Sequence, residues 1–234
     1  MSLIRSNVNS KYIEELKRGK RHTKICHYYK NDGIFNIPEG CKVLLMSDIH
    51  SITTVVVDDL IKKNTINDKT IVITTGDMSG DFSTAGNGDP FEDYVKINKA
   101  AKAFYFVQGN HDYRNSQCKK LTNDDGTKCY VEGILQDTIL GKITGLNGII
   151  VDDARVNKKL HKYSQEEYNR KLDYLLNLKP DIFLTHMPLD KERLESVFLP
   201  KIHLCGHYDT EDYFVNDMDY CMINLDGKIV ELIS

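Results

Sequence analysis

Past residue 40 the chain alternates short apolar runs with amphipathic stretches. Lys42–Ser47 (KVLLMS), Thr70–Thr75 (TIVITT) and Ala103–Gln108 (AFYFVQ) are mostly apolar or β-branched, the pattern of buried strands. Between them, Thr54–Lys63 carries Val55, Val56 and Leu60 at helical spacing, and Phe91–Lys102 follows Pro90, a residue suited to a first helical turn. Strand, helix, strand in this order predicts βαβ units and a largely parallel sheet. Further on, Asn115–Gly126 reads as a polar loop, and Lys128–Leu135 and Leu140–Asp152 as strands punctuated by Gly133, Gly141, Gly145 and Gly148. Ser164-Gln165-Glu166-Glu167 fits a capping box, opening a helix that Pro180 stops near Leu178. Asp181–Thr185 (DIFLT) and Lys201–Cys205 (KIHLC) are two more short apolar runs, and Tyr220–Glu231 reads as a hairpin turning at Asp226-Gly227.

Composition narrows the class without naming it. At 234 residues, 41% hydrophobic and 28% charged, the chain suits one large domain whose core needs no disulfide staples. A formal net charge of −3 gives no reason to expect a broad grip on nucleic acid or anionic lipid. None of the six cysteines forms a C-x-x-C pair, which argues against a zinc ribbon or a thioredoxin-type site. Cys118 and Cys129 flank the polar loop and could be bridged, but without an export signal reduced thiols are the expectation. No apolar stretch approaches the ~20 residues that span a bilayer. The N-terminus lacks the apolar run of a signal peptide, so a soluble, cytoplasmic protein is expected.

Residues 1–40 differ from the domain expected at 41–234. From Met1 to Lys30 there are eight Lys or Arg against two acids, Glu14 and Glu15. The segment reads as a basic, partly helical extension packed on or preceding the core; a docking arm for an acidic protein partner is the sharper alternative.

The candidate chemistry lies at the C-terminal end of each apolar run. The first leads into Asp48-Ile49-His50, the second into Gly76-Asp77, and the third into Gly109-Asn110-His111-Asp112. The two later runs lead into His186 and into Gly206-His207-Tyr208-Asp209. Ligands of open α/β sheets bind at the carboxyl ends of strands, so these side chains should converge on one crevice. Asp-x-His at a strand end should place both side chains on one side, since strand side chains alternate with period two. Carboxylate, imidazole and amide oxygen together suit Mn²⁺, Fe or Zn²⁺ and tolerate Mg²⁺. Each motif is weak alone; the ordered conjunction of five is what points to a metal site.

This ordered set resembles that of the calcineurin-like metallophosphoesterases, over most of the chain from about Lys42 onward. The resemblance implies an α/β fold, a four-layer α/β/β/α sandwich of two mixed sheets with helices outside. It implies two divalent ions, one bound by Asp48 and His50, with Asp77 bridging and Asn110, His186 and His207 completing the second site. His111 would sit beside the scissile phosphate, with Asp112 orienting or tuning it and Asn110 contacting the substrate; apart from the resemblance, Arg114 is a candidate phosphate contact because it lies two residues past Asp112. The last family motif is usually Gly-His-x-His, whereas here Asp209 stands where the second His would be a first-site ligand. Asp209 as a ligand makes that site harder, so Mn²⁺ is favoured, with Fe, Mg²⁺ and Zn²⁺ as alternatives. The implied activity is hydrolysis of a phosphate ester by direct attack of metal-bound hydroxide. The expected substrate is a small phosphodiester or nucleotide, taken as a phosphodiesterase or phosphatase would; no membrane partner is expected and nucleic acid is not indicated. The protein Ser/Thr phosphatase pattern fits poorly, because Gly76-Asp77 is followed by Met78-Ser79-Gly80-Asp81 and Asp112 stands in place of Glu. A catalytically weak interaction scaffold and a nuclease are the competing readings.

Overall fold

The protein is described here by a computed structural model, which covers residues 6–7, 25–30, 34–79, 86–208, 214–216 and 220–233. In chain order its first strands and helices are β1 (Ser6–Asn7), β2 (Ile25–Lys30), β3 (Lys42–Met46), α1 (Thr53–Lys62), β4 (Thr70–Thr74), α2 (Phe91–Ala100) and β5 (Ala103–Phe106). Then come β6 (Gln136–Thr138), β7 (Gly141–Leu146), β8 (Ile149–Ile150), β9 (Lys162–Tyr163), α3 (Gln165–Asn177), β10 (Ile182–Thr185) and α4 (Lys191–Glu195). The chain closes through β11 (Ile202–Cys205), β12 (Phe214–Asn216), β13 (Cys221–Asn224) and β14 (Lys228–Ile233).

The strands build two six-stranded mixed sheets. The first has the order β1-β2-β14-β3-β4-β5, with β3, β4 and β5 parallel and β14 antiparallel to β3. The second has the order β12-β13-β11-β10-β7-β6, parallel through β13, β11, β10 and β7 with antiparallel strands at both edges. Period-two alternation decides what each face meets. Val43, Leu45, Ile71 and Ile73 of the first sheet pack against Ile143, Leu184, Leu204 and Ile223 of the second. Leu44, Met46, Val72 and Phe104 point the other way, onto Val56, Val57 and Leu60 of α1 and Tyr94 and Ile97 of α2. On the far side of the second sheet, Leu146 and Phe183 meet Tyr168, Leu172 and Leu176 of α3 and Leu194 of α4. The result is four layers, helix on sheet on sheet on helix. Each fully buried aliphatic side chain contributes roughly 1.5–3 kcal/mol to holding them together.

Strand β2 lies within the basic N-terminal segment and pairs in parallel with β14, from Ile25↔Lys228 to Lys30↔Ile233. The helical part expected there falls outside the described residues.

Two local expectations are corrected, and a third is refined. Tyr220–Glu231 is no hairpin: β13 belongs to the second sheet and β14 to the first, so the Asp226-Gly227 turn carries the chain across the sandwich. The turn chemistry is as expected, with Gly227 at φ 63°, but turn residues do not encode which sheet the next strand joins. Lys128–Leu135 makes only isolated bridges, Lys128 to Thr122, Tyr130 to Phe106 and Glu132 to Gly145, because it crosses from one sheet to the other. The polar loop contains a 3₁₀ turn over Ser116–Lys120, capped by Asn115, whose side chain accepts from the Gln117 N–H.

Helix α3 begins as expected, with the Ser164 hydroxyl accepting from the Glu167 N–H at 3.3 Å. Cys118 and Cys129 are buried free thiols. Among the described residues no helix is long and apolar enough to cross a membrane.

Candidate metal centre

Every motif residue that the structure describes lies just beyond a parallel strand. Asp48 and His50 follow β3, Asp77 follows β4, and Asn110 to Asp112 follow β5. His186 follows β10 and His207 follows β11. Convergence does not come from strand alternation, as the Asp-x-His spacing suggested. Asp48 (φ 56°), His50 (φ 53°), Asp77 (φ 49°) and His207 (φ 72°) all take left-handed backbone, which bends each side chain inward from a loop. Such conformations are costly for non-glycine residues and gather where a site demands them. Hydrogen bonds between loops hold them: Asp48 N–H to the Gly76 carbonyl and His50 N–H to the Asp77 carbonyl, both 3.0 Å. Glycine is required where the loops touch. A Cβ at Gly109 would overlap Asp77 Oδ1, and one at Gly206 would overlap Asp48 Oδ2.

Two donor triads result. Asp48, His50 and Asp77 form one, and Asp77, His186 and His207 the other, with ligand atoms in each within 4.8 Å of one another. Asp77 is common to both. Its Oδ2 lies 3.3 Å from His186 Nε2 and 3.8 Å from His50 Nε2. Asn110 Oδ1 adds a further oxygen, 3.2 Å from His186 Nε2.

The protonation pattern shows what this cage accommodates. His186 Nδ1 is 2.9 Å from the Thr75 carbonyl, which can only accept, so Nδ1 carries a proton. In the neutral ring Nε2 therefore presents a lone pair toward Asp77 Oδ2 and Asn110 Oδ1. Three lone-pair donors facing one another call for a cation between them, either a proton or a metal ion. The electrostatics agree: burial works to lower the His186 pKa, yet the Asp77 and Asp48 charges raise it to about 10. Burial likewise works to raise Asp77, but His186 and then His50 and His111 hold it well below the usual carboxylate range. Asp48 goes up to about 7, through burial first, opposed by His186. His207 is pushed down to about 3, by burial and by the neighbouring His186. The donor set thus fits divalent cations, which would replace the borrowed proton and stabilise both carboxylates as anions.

Around the triads, His111 packs edge-on against His50 with ring centroids 5.2 Å apart. Its N–H donates to Asp77 Oδ1 at 2.7 Å, and its Nδ1 faces the Gly86 carbonyl at 3.0 Å, which leaves Nε2 for the crevice. Asp112 is buried beneath. Its carboxylate accepts from the Ser79 N–H (3.0 Å), the Ser79 hydroxyl (2.7 Å) and the Gly109 N–H (2.9 Å), so it stitches the β4 loop to the β5 loop. Burial and the Asp77 charge raise its pKa to about 6, against the pull of those donors. Arg114 stands apart. It is exposed, its N–H donates to the Lys159 carbonyl at 2.9 Å, and among the described residues no hydrogen bond joins its guanidinium to the triads. Asp209 lies outside the described residues.

Several supporting residues were not singled out in the sequence. Ser47 donates its hydroxyl to Asp48 Oδ2 at 2.5 Å, and the His207 N–H donates to the same oxygen at 3.1 Å. Asn224 donates to the Tyr208 carbonyl at 2.7 Å and so ties the β11 loop to β13. Behind the β5 loop, the Gln108 N–H donates to Asn147 Oδ1, which fixes Asn147 Nδ2 as the donor toward His161 Nδ1 at 3.2 Å. The one usable signal was position: Ser47 and Gln108 each immediately precede a motif.

Comparison with known proteins places this geometry in context. The model of the calcineurin-like phosphoesterase family matches residues 41–219. No curated protein matches the chain. Among solved structures, a hypothetical protein from Thermus thermophilus is similar at a TM-score of 0.50 and 16% identity, over 80% of this chain and 76% of that one. At that identity the likeness speaks to the fold alone.

Proposed function

The chain belongs to the calcineurin-like phosphoesterase family, and we propose that it is a two-metal phosphoesterase acting on a small phosphodiester or nucleotide-type substrate. The observation that supports this most is the sharing of Asp77 between two buried donor triads. Asp48, His50 and Asp77 would hold one divalent ion, with Asp209 a further ligand by its place in the motif. Asp77, Asn110, His186 and His207 would hold the other. Buried carboxylate, imidazole and amide donors with no thiolate favour Mn²⁺, with Fe, Mg²⁺ and Zn²⁺ as alternatives. Such ions, when bound, lower the pKa of water and neutralise phosphoryl charge.

The remaining roles fall to the chain's own side chains. His111, oriented by its Nδ1 contact to the Gly86 carbonyl, presents Nε2 to hold a proton for the departing ester oxygen. Asp112 positions the loop that carries Asn110 and His111, through Ser79 and Gly109. The Asn110 amide and, by its nearness in sequence, the Arg114 guanidinium would meet phosphoryl oxygens. The substrate is taken to be small because neither net charge nor motif surroundings offer a basic track for nucleic acid.

Hydrolysis of a chromogenic phosphodiester and its matching monoester by chelator-stripped protein, before and after Mn²⁺, tests the reading. Activity that returns with the metal supports it, and the diester-to-monoester ratio selects the substrate class. A folded protein inert with every divalent ion would instead support the non-catalytic scaffold.

A further inference from the structure

A polar groove of about 500 Å³ opens beside the centre, lined by β8, the residues that follow it, Gln165 at the start of α3, and Tyr208. Tyr208 links groove to cluster. Its ring packs edge-on against His207 with centroids 4.0 Å apart, and His207 in turn lies 4.9 Å from His186. Tyr208 is nonetheless 56% exposed. Its backbone is fixed by the Asn224 amide at the carbonyl and by its own N–H to the Gly206 carbonyl at 2.9 Å. The opposite wall is equally fixed, since the Val151 N–H donates to the Tyr163 carbonyl and the Arg155 N–H to the Asp152 carbonyl.

We infer that this groove is the subsite for a ribonucleoside carried by the phosphate ester. Three features of its lining select that chemistry. Tyr208 offers an exposed aromatic ring one ring away from the donor triads, and such rings are platforms on which bases stack. Asp152 and Asp153 place two carboxylates against the single charge of Arg155. Carboxylates accept from hydroxyls, as in ribose-diol recognition, and they repel a second phosphate. The Gln165 amide, whose Nε2 donates to Asn169 Oδ1 at 3.0 Å, keeps its carbonyl oxygen and its second N–H for a base edge. A polyol without a ring would leave Tyr208 unused, and a polyphosphate would meet the carboxylates.

The inference takes the position of the phosphoryl group from the hydrolase reading, but its test needs no turnover. The probes are phosphonates of adenosine, 2′-deoxyadenosine and ribose in which CH₂ replaces the ester oxygen. Their dissociation constants are measured by calorimetry on the full chain with Mn²⁺. The adenosine probe is expected to bind about tenfold or more tightly than the ribose probe, through stacking. It should bind about fivefold more tightly than the deoxy probe, through the hydroxyl on a carboxylate. Tyr208→Ala should erase the first difference and Tyr208→Phe keep it, while the Asp152→Ala/Asp153→Ala double variant should erase the second. All these side chains are exposed, and thermal melting checks that the variants stay folded. Equal affinities for the three probes, or preferences that survive the substitutions, would overturn the subsite. Hydrolysis of simple esters with equal probe affinities sinks the subsite alone; the expected probe pattern without any hydrolysis sinks the hydrolase reading alone.

Discussion

His203 on β11 and His186, just past the end of the neighbouring strand β10, both have no solvent exposure, yet they are opposites. His203, in the middle of β11, is surrounded by neutral partners. The Thr185 hydroxyl donates to the Met187 carbonyl at 2.6 Å, so it accepts from His203 Nε2–H at 2.8 Å, and Tyr220 OH lies 3.3 Å from Nδ1. Burial alone then lowers its pKa to about 3. His186 is one residue past the end of β10, where two carboxylates outweigh the same burial and raise it to about 10. Burial makes a histidine neutral and inert. Buried carboxylates beside it make a place for a cation. The difference is three or four residues of position along a strand, set by where the backbone leaves the sheet.

Substitutions in the charged region and in the neutral one should therefore have effects of graded size. The largest concerns the proposed proton donor: His111→Gln should lower kcat by about 10²–10⁴-fold while metal content is kept, the range for loss of a positioned acid or base. Metal analysis beside steady-state rates checks it. Gly109→Ala should follow at about 10²-fold or more, because the added Cβ displaces Asp77 Oδ1 and a small misplacement suffices. Its circular dichroism should remain that of the wild type. Ser47→Ala removes the donor to Asp48 and should weaken binding of one of the two ions by about tenfold, read by metal titration.

The last effect belongs to the neutral region and is read in stability, not at the centre. The unfolded His203 takes up a proton near its ordinary value of 6.5 and the folded one only near 3. The unfolded state therefore binds more protons between those values, and His203 costs stability as pH falls through that window but nothing above it. The slope is about 1.4 kcal/mol per pH unit. Urea titrations at pH 7 and 4.5 should show a correspondingly flatter loss for His203→Gln, with no change in the activity at pH 7. An unchanged slope would mean that His203 is not held neutral.

Much of the fold was legible because the short apolar runs are nearly all strands, and the order of strand and helix leaves few topologies. The candidate site was legible for the same reason: its residues are appended to strand ends, so sequence order stands in for spatial order. What was not legible depends on tertiary partners. The left-handed backbone at Asp48, His50, Asp77 and His207 is imposed by bonds between loops far apart in sequence. The Asp226-Gly227 turn looks the same whether it folds a hairpin or crosses between sheets. Ser47, Ser79 and Thr75 are ordinary polar residues until the carboxylate or imidazole each one holds is known. His203 and His186 could not be told apart by the apolar runs they belong to, only by their place within them.

The most direct test of the shared bridging carboxylate is metal stoichiometry. Purified chain stripped with chelator and reloaded with Mn²⁺ should bind two ions, and Asp77→Asn should weaken both while His50→Ala weakens one. A wild type that binds a single ion, or an Asp77→Asn variant that keeps two at wild-type affinity, would contradict a centre built around Asp77.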